Sequence, residues 1–396
     1  MADLVSTIVA EAPGRDPAPQ HRTRPHGGVL SILRAAFRVH RSQVIALAAF
    51  AMAATVYLWL AMAHLHALVD QYRALRCASL HNLAPNAACG HLLTQAPLAY
   101  DLAWNIPMPV GFAVPVLIGI FVFGVPLVAR EHRSKIARLS WTQSRSRTTW
   151  LVANLAVAAG AVAVTAAGLS VLGAWWLRDL NGLLHSSVAF QQPYNRTTGG
   201  TAGLGEVRFA LAGPVLVAST LFALALGTFL GALIRRVFLA SIASVGSYAA
   251  VLVGIARGLR PNYMPPAIKT GLAAIKNGVS NVPAGSMFLS SGWAKRGSTS
   301  PSSAASFFRH IAPLERSCDT ALAHPGLHPP VARHWTLQQV QAHIFSCMGH
   351  HGLSYLSVYQ PPSRYWAFQG IESGILVSLA VVLAVAATIV VRRLSV

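Results

Sequence analysis

Six long apolar stretches, none holding Asp, Glu, Lys, Arg or His, divide this chain of 396 residues: Gln43–Ala63, Pro109–Ala129, Thr149–Leu177, Phe209–Ile234, Val237–Ala256 and Ser373–Val391. A run of about 20 apolar residues crosses the hydrocarbon core as a helix, because only a helix or a closed barrel satisfies its own backbone hydrogen bonds in lipid. The pattern predicts an all-α polytopic membrane protein with six transmembrane helices. The first stretch begins too late and runs too long for a cleaved signal peptide. The second carries Pro115 and Pro126, each able to kink a helix.

Composition excludes the main alternatives. The chain is 54% hydrophobic and 11% charged, whereas a soluble domain carries about 25% charged residues. A soluble enzyme and a disordered chain are both excluded. The net charge of +20 would by itself suggest a nucleic-acid partner. The mean hydropathy of +0.50 points instead to lipid head groups, with no nucleic acid involved.

The positions of the basic residues predict orientation. Arg15, Arg22, Arg24, Arg34, Arg38 and Arg41 precede the first span; Arg130, Arg133, Lys135, Arg138, Arg145 and Arg147 lie between the second and third. Arg235 and Arg236 join the fourth to the fifth, and Arg392 and Arg393 follow the sixth. These short segments hold sixteen of the 31 basic residues, at a density about threefold that of the remaining loops, so the positive-inside rule makes both termini cytoplasmic. All four cysteines, Cys77, Cys89, Cys318 and Cys347, then fall in outward loops, where disulfides persist. Pairing within each loop, Cys77–Cys89 and Cys318–Cys347, is the simplest connectivity. A zinc-type site near Cys347, His343, His350 and His351 is the rival, but no closed four-ligand pattern emerges.

Between the spans the chain divides further. Residues 1–28 read as a flexible cytoplasmic tail. Residues 29–42 place Val29, Leu30, Leu33 and Phe37 on one side and Arg34, Arg38 and Arg41 on the other, the pattern of an amphipathic helix lying in the membrane interface. Residues 43–256 hold spans one to five, with a basic loop at 130–148. Residues 257–372 are long enough for a small mixed extracytoplasmic domain, and residues 373–396 hold the sixth span and a short cytoplasmic tail. In the domain, the segment up to Ser303 reads as irregular. Thr336–Gln339 forms a capping box opening a helix with Leu337, Val340, Ile344 and Cys347 on one face. Leu353–Tyr359 alternates like a strand.

No acid, base or cation lies inside the six stretches, which argues against an ion-coupled pump. Glu372 stands at the edge of the sixth, where it would cap the helix N-terminus and meet its dipole. There is no GxxxxGK[ST] loop, nucleophile elbow or HExxH motif. The chain is therefore not read as an enzyme, and carries no cofactor or catalytic residue of its own. Gly227 and Gly231 are spaced for close helix approach. Ser241, Ser244 and Tyr248 share one face of the fifth span and suit either helix packing or a translocation path. Tyr359, Tyr365, Trp366 and Phe368 would form an aromatic belt, with Arg364 reaching toward head groups.

Two motifs and the overall layout resemble one family. The first is "VAREH…ARLSWTQSRSRTTWLVANL", from Val128 to Leu155, and the second is "YQPPSRYWAFQGIESGI", from Tyr359 to Ile375. With an N-terminal interfacial helix, six spans and a large segment between the fifth and sixth, the chain resembles the permease subunit of type-2 ABC exporters, in a group common in actinobacteria. The resemblance implies a coupling helix in the loop after the second span, seated on a separate ATP-binding cassette subunit that holds ATP and Mg. It places Arg130, Glu131, Leu139, Trp141, Thr142, Gln143, Ser144 and Arg147 at that contact. It also implies a second permease copy, or a sister permease, across the pathway. Span five would line the path in that reading. The competing reading is a non-transporting sensor or assembly protein whose extracytoplasmic domain does the work.

Overall fold

The computed structural model describes residues 29–74, 91, 95, 113–129, 147–185, 204, 206–276, 279–280, 282–283, 285–303, 306–320 and 337–393. Five of its helices are long and apolar enough to cross a membrane, spanning His40–Gln71, Leu151–Leu180, Pro214–Ile234, Val237–Asn262 and Pro362–Arg393. A shorter apolar helix, Pro115–Leu127, takes the place of the second predicted span.

Helix α1 (Val29–Ala74) is unbroken over 46 residues. The segment 29–42 and the first span, expected as separate elements, are thus one rod. At 1.5 Å per residue it is about 70 Å long, more than twice the hydrocarbon thickness. Helix α2 winds as a π-helix over Pro115–Gly124 and as an α-helix over Val125–Ala129. Pro126 has no N–H to offer the carbonyl one turn back, Val122. The side chain of Gln43 on α1 donates to that oxygen from 2.8 Å. A backbone acceptor that proline would orphan inside the bundle is satisfied by a neighbouring helix.

Helix α3 (Arg147–His185) runs parallel to α1. Their polar contacts fix the direction: His40 Nε2 lies 3.0 Å from Asn154 Oδ1, and His66 Nε2 lies 3.0 Å from Asp179 Oδ2. The fourth predicted span is not one helix. A short α4 (Glu206–Leu211) ends before α5 (Pro214–Ile234) begins. Gly213 between them has φ of 124°, outside the range of residues with a side chain. Pro214, at the first turn of α5, tolerates the missing N–H there but disfavours helix in the residue before it.

Helix α5 is the centre of the bundle. Of its most apolar stretch 67% is buried, against 11% for α1 and for the last helix, which are peripheral. Thr220 and Thr228 sit buried in it without loss, because their hydroxyls donate to Leu216 O (2.6 Å) and Leu224 O (2.8 Å) on the same helix. Helix α6 (Val237–Gly254) continues through a π turn, Ile255–Leu259, and a 3-10 turn, Arg260–Asn262. The last helix, α9, covers Tyr365–Arg393, starting about two turns before the predicted Ser373. Val390 and Val391 at its far end pack in one cluster with Leu47 of α1 and Leu151 of α3. The start of the first helix and the end of the last therefore share one end of the bundle.

The other end carries the domain between α6 and α9. Strands β1 (Ala267–Thr270), β5 (Leu353–Gln360) and β4 (Met287–Lys295) form an antiparallel sheet in the order β1-β5-β4. A two-residue ladder joins β2 (Ile275–Lys276) to β3 (Val279–Ser280). Helices α7 (Phe307–Ile311, continued by Ala312–Thr320) and α8 (Leu337–His350) complete it. The region up to Ser303, expected to be irregular, thus holds β1 and the nine-residue β4. Their pairing partner lies far along the chain, so no local signal announces them. A disulfide, Cys318–Cys347, ties α7 to α8 as expected. Around it Trp293, Ile311 and Met348 are buried, and Trp293 meets Tyr355 edge-on at 5.4 Å. Trp293 Nε1 donates to Glu315 at 3.1 Å, which settles the one polar atom of the ring.

Candidate functional site

The most polar part of the bundle is the seam where α4, α5, α6 and α9 meet below the domain. It is built around the break at Gly213. A broken helix leaves unpaired carbonyls and N–H groups, and here side chains from two other helices take them. Gln369 of α9 donates from Nε2 to Phe209 O at 2.7 Å and accepts from Val215 N at 3.1 Å. Ser170 of α3 accepts from Gly213 N at 2.7 Å and donates to Gly213 O at 3.0 Å. Tyr365 donates its hydroxyl hydrogen to Ala212 O. A side chain at Gly213 is excluded twice, since a Cβ there would stand 2.7 Å from Gln369 Oε1.

One turn deeper on α9 sits Glu372. The sequence places it at a helix N-terminus; the structure places it in the eighth position of α9, with its side chain 1% exposed. Its carboxylate accepts a two-pronged contact from Arg260, Nε to Oε2 at 2.8 Å and Nη2 to Oε1 at 2.7 Å. The Arg260 side chain is 9% exposed and its guanidinium lies 4.2 Å above the Phe209 ring. The difference has a physical cause. α9 starts earlier and α6 ends later than the apolar runs, so both charges fall within helices, where burial is tolerable only because each neutralises the other. Tyr263, just beyond α6, lies beside the pair; burial first, and the Glu372 carboxylate second, push its phenol up to about 12, against a lowering by Arg260.

The two links to the domain are cross-tied at the same level. Gln360, the last residue of β5, donates to Pro261 O at 3.0 Å and Met264 O at 2.6 Å, both on the link leaving α6. Arg364, expected to reach head groups, donates instead to Pro265 O and Gln360 Oε1. Of the predicted belt, Trp366 is exposed, Tyr365 is half-buried, and Tyr359 and Phe368 are buried. Phe368 packs edge-on to Tyr263 at 5.3 Å.

Gly227 and Gly231 face α2. A Cβ on Gly227 would come 3.1 Å from Gly124 Cα, and one on Gly231 would come 3.1 Å from Val125 O. Ser241, Ser244 and Tyr248 are all buried on one side of α6; Ser244 donates to Ala240 O at 2.7 Å, and Tyr248 stacks on Phe222 of α5 at 6.0 Å. Of the residues expected at the coupling contact, Arg130, Glu131, Leu139, Trp141, Thr142, Gln143 and Ser144 lie outside the described residues, as do Cys77 and Cys89. Arg147 forms the first residue of α3.

Sequence reasoning missed His40, Gln43, Asn154, Ser170, Arg260 and Gln369. Two of these, Asn154 and Gln369, lie inside the two family-like motifs. A signal existed for the pair: an Arg shortly after one apolar run and a Glu immediately before the next stand at the same depth.

Residues 45–260 match the family model described as ABC-2 membrane transporter related. No curated protein and no solved structure matches the chain. The matched stretch covers more than half of the sequence, from α1 to the end of α6, and agrees with a bundle of long apolar helices. The chain is a multi-pass membrane protein and belongs to the ABC-2 membrane transporter related family, the type-2 ABC permeases.

Proposed function

We propose that the chain is the plasma-membrane permease subunit of an ATP-driven exporter, working with a separate cassette subunit that binds and hydrolyses ATP with Mg. The observation that carries this is the family match over residues 45–260, which includes the whole basic loop 130–148. That loop joins α2, ending at Ala129, to α3, beginning at Arg147. Both helices approach it at the end opposite the domain, as the contacts of Val125 with Gly231 and of Asn154 with His40 support.

A push on this loop has a mechanical route. α2 has no clearance against the central helix: a Cβ added to Gly119 would stand 2.7 Å from Ala223 Cβ, and one added to Gly124 would stand 3.0 Å from Leu224 O. Displacing α2 therefore displaces α5. At its other end α5 is clamped through Gln369 to α9, and α9 through Glu372 to α6. The packed bundle passes displacement from the ATPase side to the domain side as a switch between two packings. A second copy, or a sister permease, completes the pathway.

The test is co-purification of the cassette subunit with Glu131→Arg and Trp141→Ala chains. Both are expected to insert normally and to recover much less ATPase than the wild type. Undiminished recovery removes the coupling contact from the reading.

A further inference from the structure

Helices α1 and α3 are pinned to each other at two levels and stand apart between them. His40 meets Asn154 at one level and His66 meets Asp179 at the other, each at 3.0 Å. The intervening lengths, from His40 to His66 and from Asn154 to Asp179, differ by one residue, so about 38 Å of each helix runs side by side without slack. Between the ties lies an open groove of about 570 Å³, within the roughly 300–1,000 Å³ of known ligand sites. Its walls are Val44, Ala48 and Ala51 on α1 and Gly160, Val164 and Gly168 on α3. A Cβ added to Gly160 or Gly168 would meet nothing within 4 Å.

The groove is dry in character. Its two hydroxyls, Thr55 and Thr165, donate to Ala51 O (2.8 Å) and Ala161 O (2.9 Å) within their own helices, so neither offers a hydrogen to a guest. From Val157 to Leu172 the wall is about 22 Å long, somewhat more than one leaflet of a hydrocarbon core of about 30 Å. One end is charged. Phe37 lines the groove, and Arg41 follows one turn later on the stripe that continues through Val44, Ala48, Ala51 and Thr55. Arg41 and the adjacent Arg38 are both exposed.

We propose that this groove holds one acyl chain of an anionic glycerophospholipid, with the lipid phosphate against Arg41 and Arg38. An apolar slot the length of an acyl chain, ending at two guanidinium groups, matches that ligand in both shape and charge. A second copy of the chain fits less well. In a symmetric interface on this face, each Arg38 and Arg41 would approach its own counterpart across the two-fold axis.

The experiment uses the full chain, extracted in mild detergent from vesicles of equal parts phosphatidylglycerol and phosphatidylcholine, with retained lipid read by native mass spectrometry. The wild type is expected to retain phosphatidylglycerol in preference. Arg41→Gln should reduce that preference about fivefold, the effect of one basic residue near a lipid surface. Gly160→Met and Gly168→Leu should each abolish retention, since their side chains fill open space. Both changes raise helix propensity, so thermal stability should not fall. Equal retention by wild type and all three variants overturns the proposal. So does disulfide cross-linking of Ala48→Cys chains to each other in the membrane, which would show the groove closed by a second copy.

Discussion

Glu372→Leu is expected to be among the most damaging single changes in the bundle. The substitution keeps an apolar side chain of similar size on α9 but strands the Arg260 guanidinium, whose side chain is only 9% exposed and which loses both contacts, at 2.7 and 2.8 Å. Removing one member of a buried pair costs about 3–5 kcal/mol, because the other is left charged and desolvated. Arg260→Met should cost a similar amount, less whatever Phe209 loses as the guanidinium leaves its ring. The double variant should be far milder. Replacing both members with apolar residues removes the desolvation penalty together with the attraction, and such replacements are often neutral or stabilising. The cycle is measured by denaturant titration of the purified chain in mixed micelles, comparing the wild type, both singles and the double. A double variant more stable than either single is the expected outcome. Two singles each below about 1 kcal/mol, adding without interaction, would refute the reasoning, since that is how a solvated surface pair behaves.

Three further outcomes follow from the geometry. Gly227→Leu should loosen α2 from α5 and lower the thermal stability of the purified chain by about 1–3 kcal/mol or more, because even a Cβ would stand 3.1 Å from Gly124 Cα; an unchanged melting curve would contradict the close contact. Cys318→Ala with Cys347→Ala should destabilise the domain by roughly 3–4 kcal/mol, the loop-closure effect for a sequence separation of 29, seen as protease sensitivity of the domain while the helices stay protected. Finally, a phenol whose folded pKa is raised binds its proton more tightly folded than unfolded, so its contribution is present below the unfolded value of about 10 and is lost as pH rises from there toward about 12. Tyr263→Phe should therefore flatten part of the alkaline fall in stability; an unchanged alkaline limb would show that Tyr263 does not titrate in that way.

The sequence by itself determined the class of fold. Transfer free energy acts on each residue separately, so runs such as Val237–Ala256 announce membrane helices whatever packs beside them. The five long helices lie where the apolar runs predict, and the Cys318–Cys347 bond and the strand at Leu353–Gln360 were legible for equally local reasons. What each polar residue does was decided only in three dimensions. Glu372 reads locally as a helix cap, yet Arg260, 112 residues away, makes it one half of a buried pair. Pro126 reads as a kink, yet its orphaned acceptor is met by Gln43, 79 residues from Val122. Gly213 and Pro214 read as tolerable within a span, yet Gln369 and Ser170 make a helix break there affordable. β4 was hidden because its register is set by β5 rather than by its own pattern. A buried donor or acceptor is stable only with a partner, and in this bundle the partner comes from another helix. Hydrophobicity is a property of the residue, whereas satisfaction of a polar group is a property of the pair, and only the tertiary structure brings the pair together.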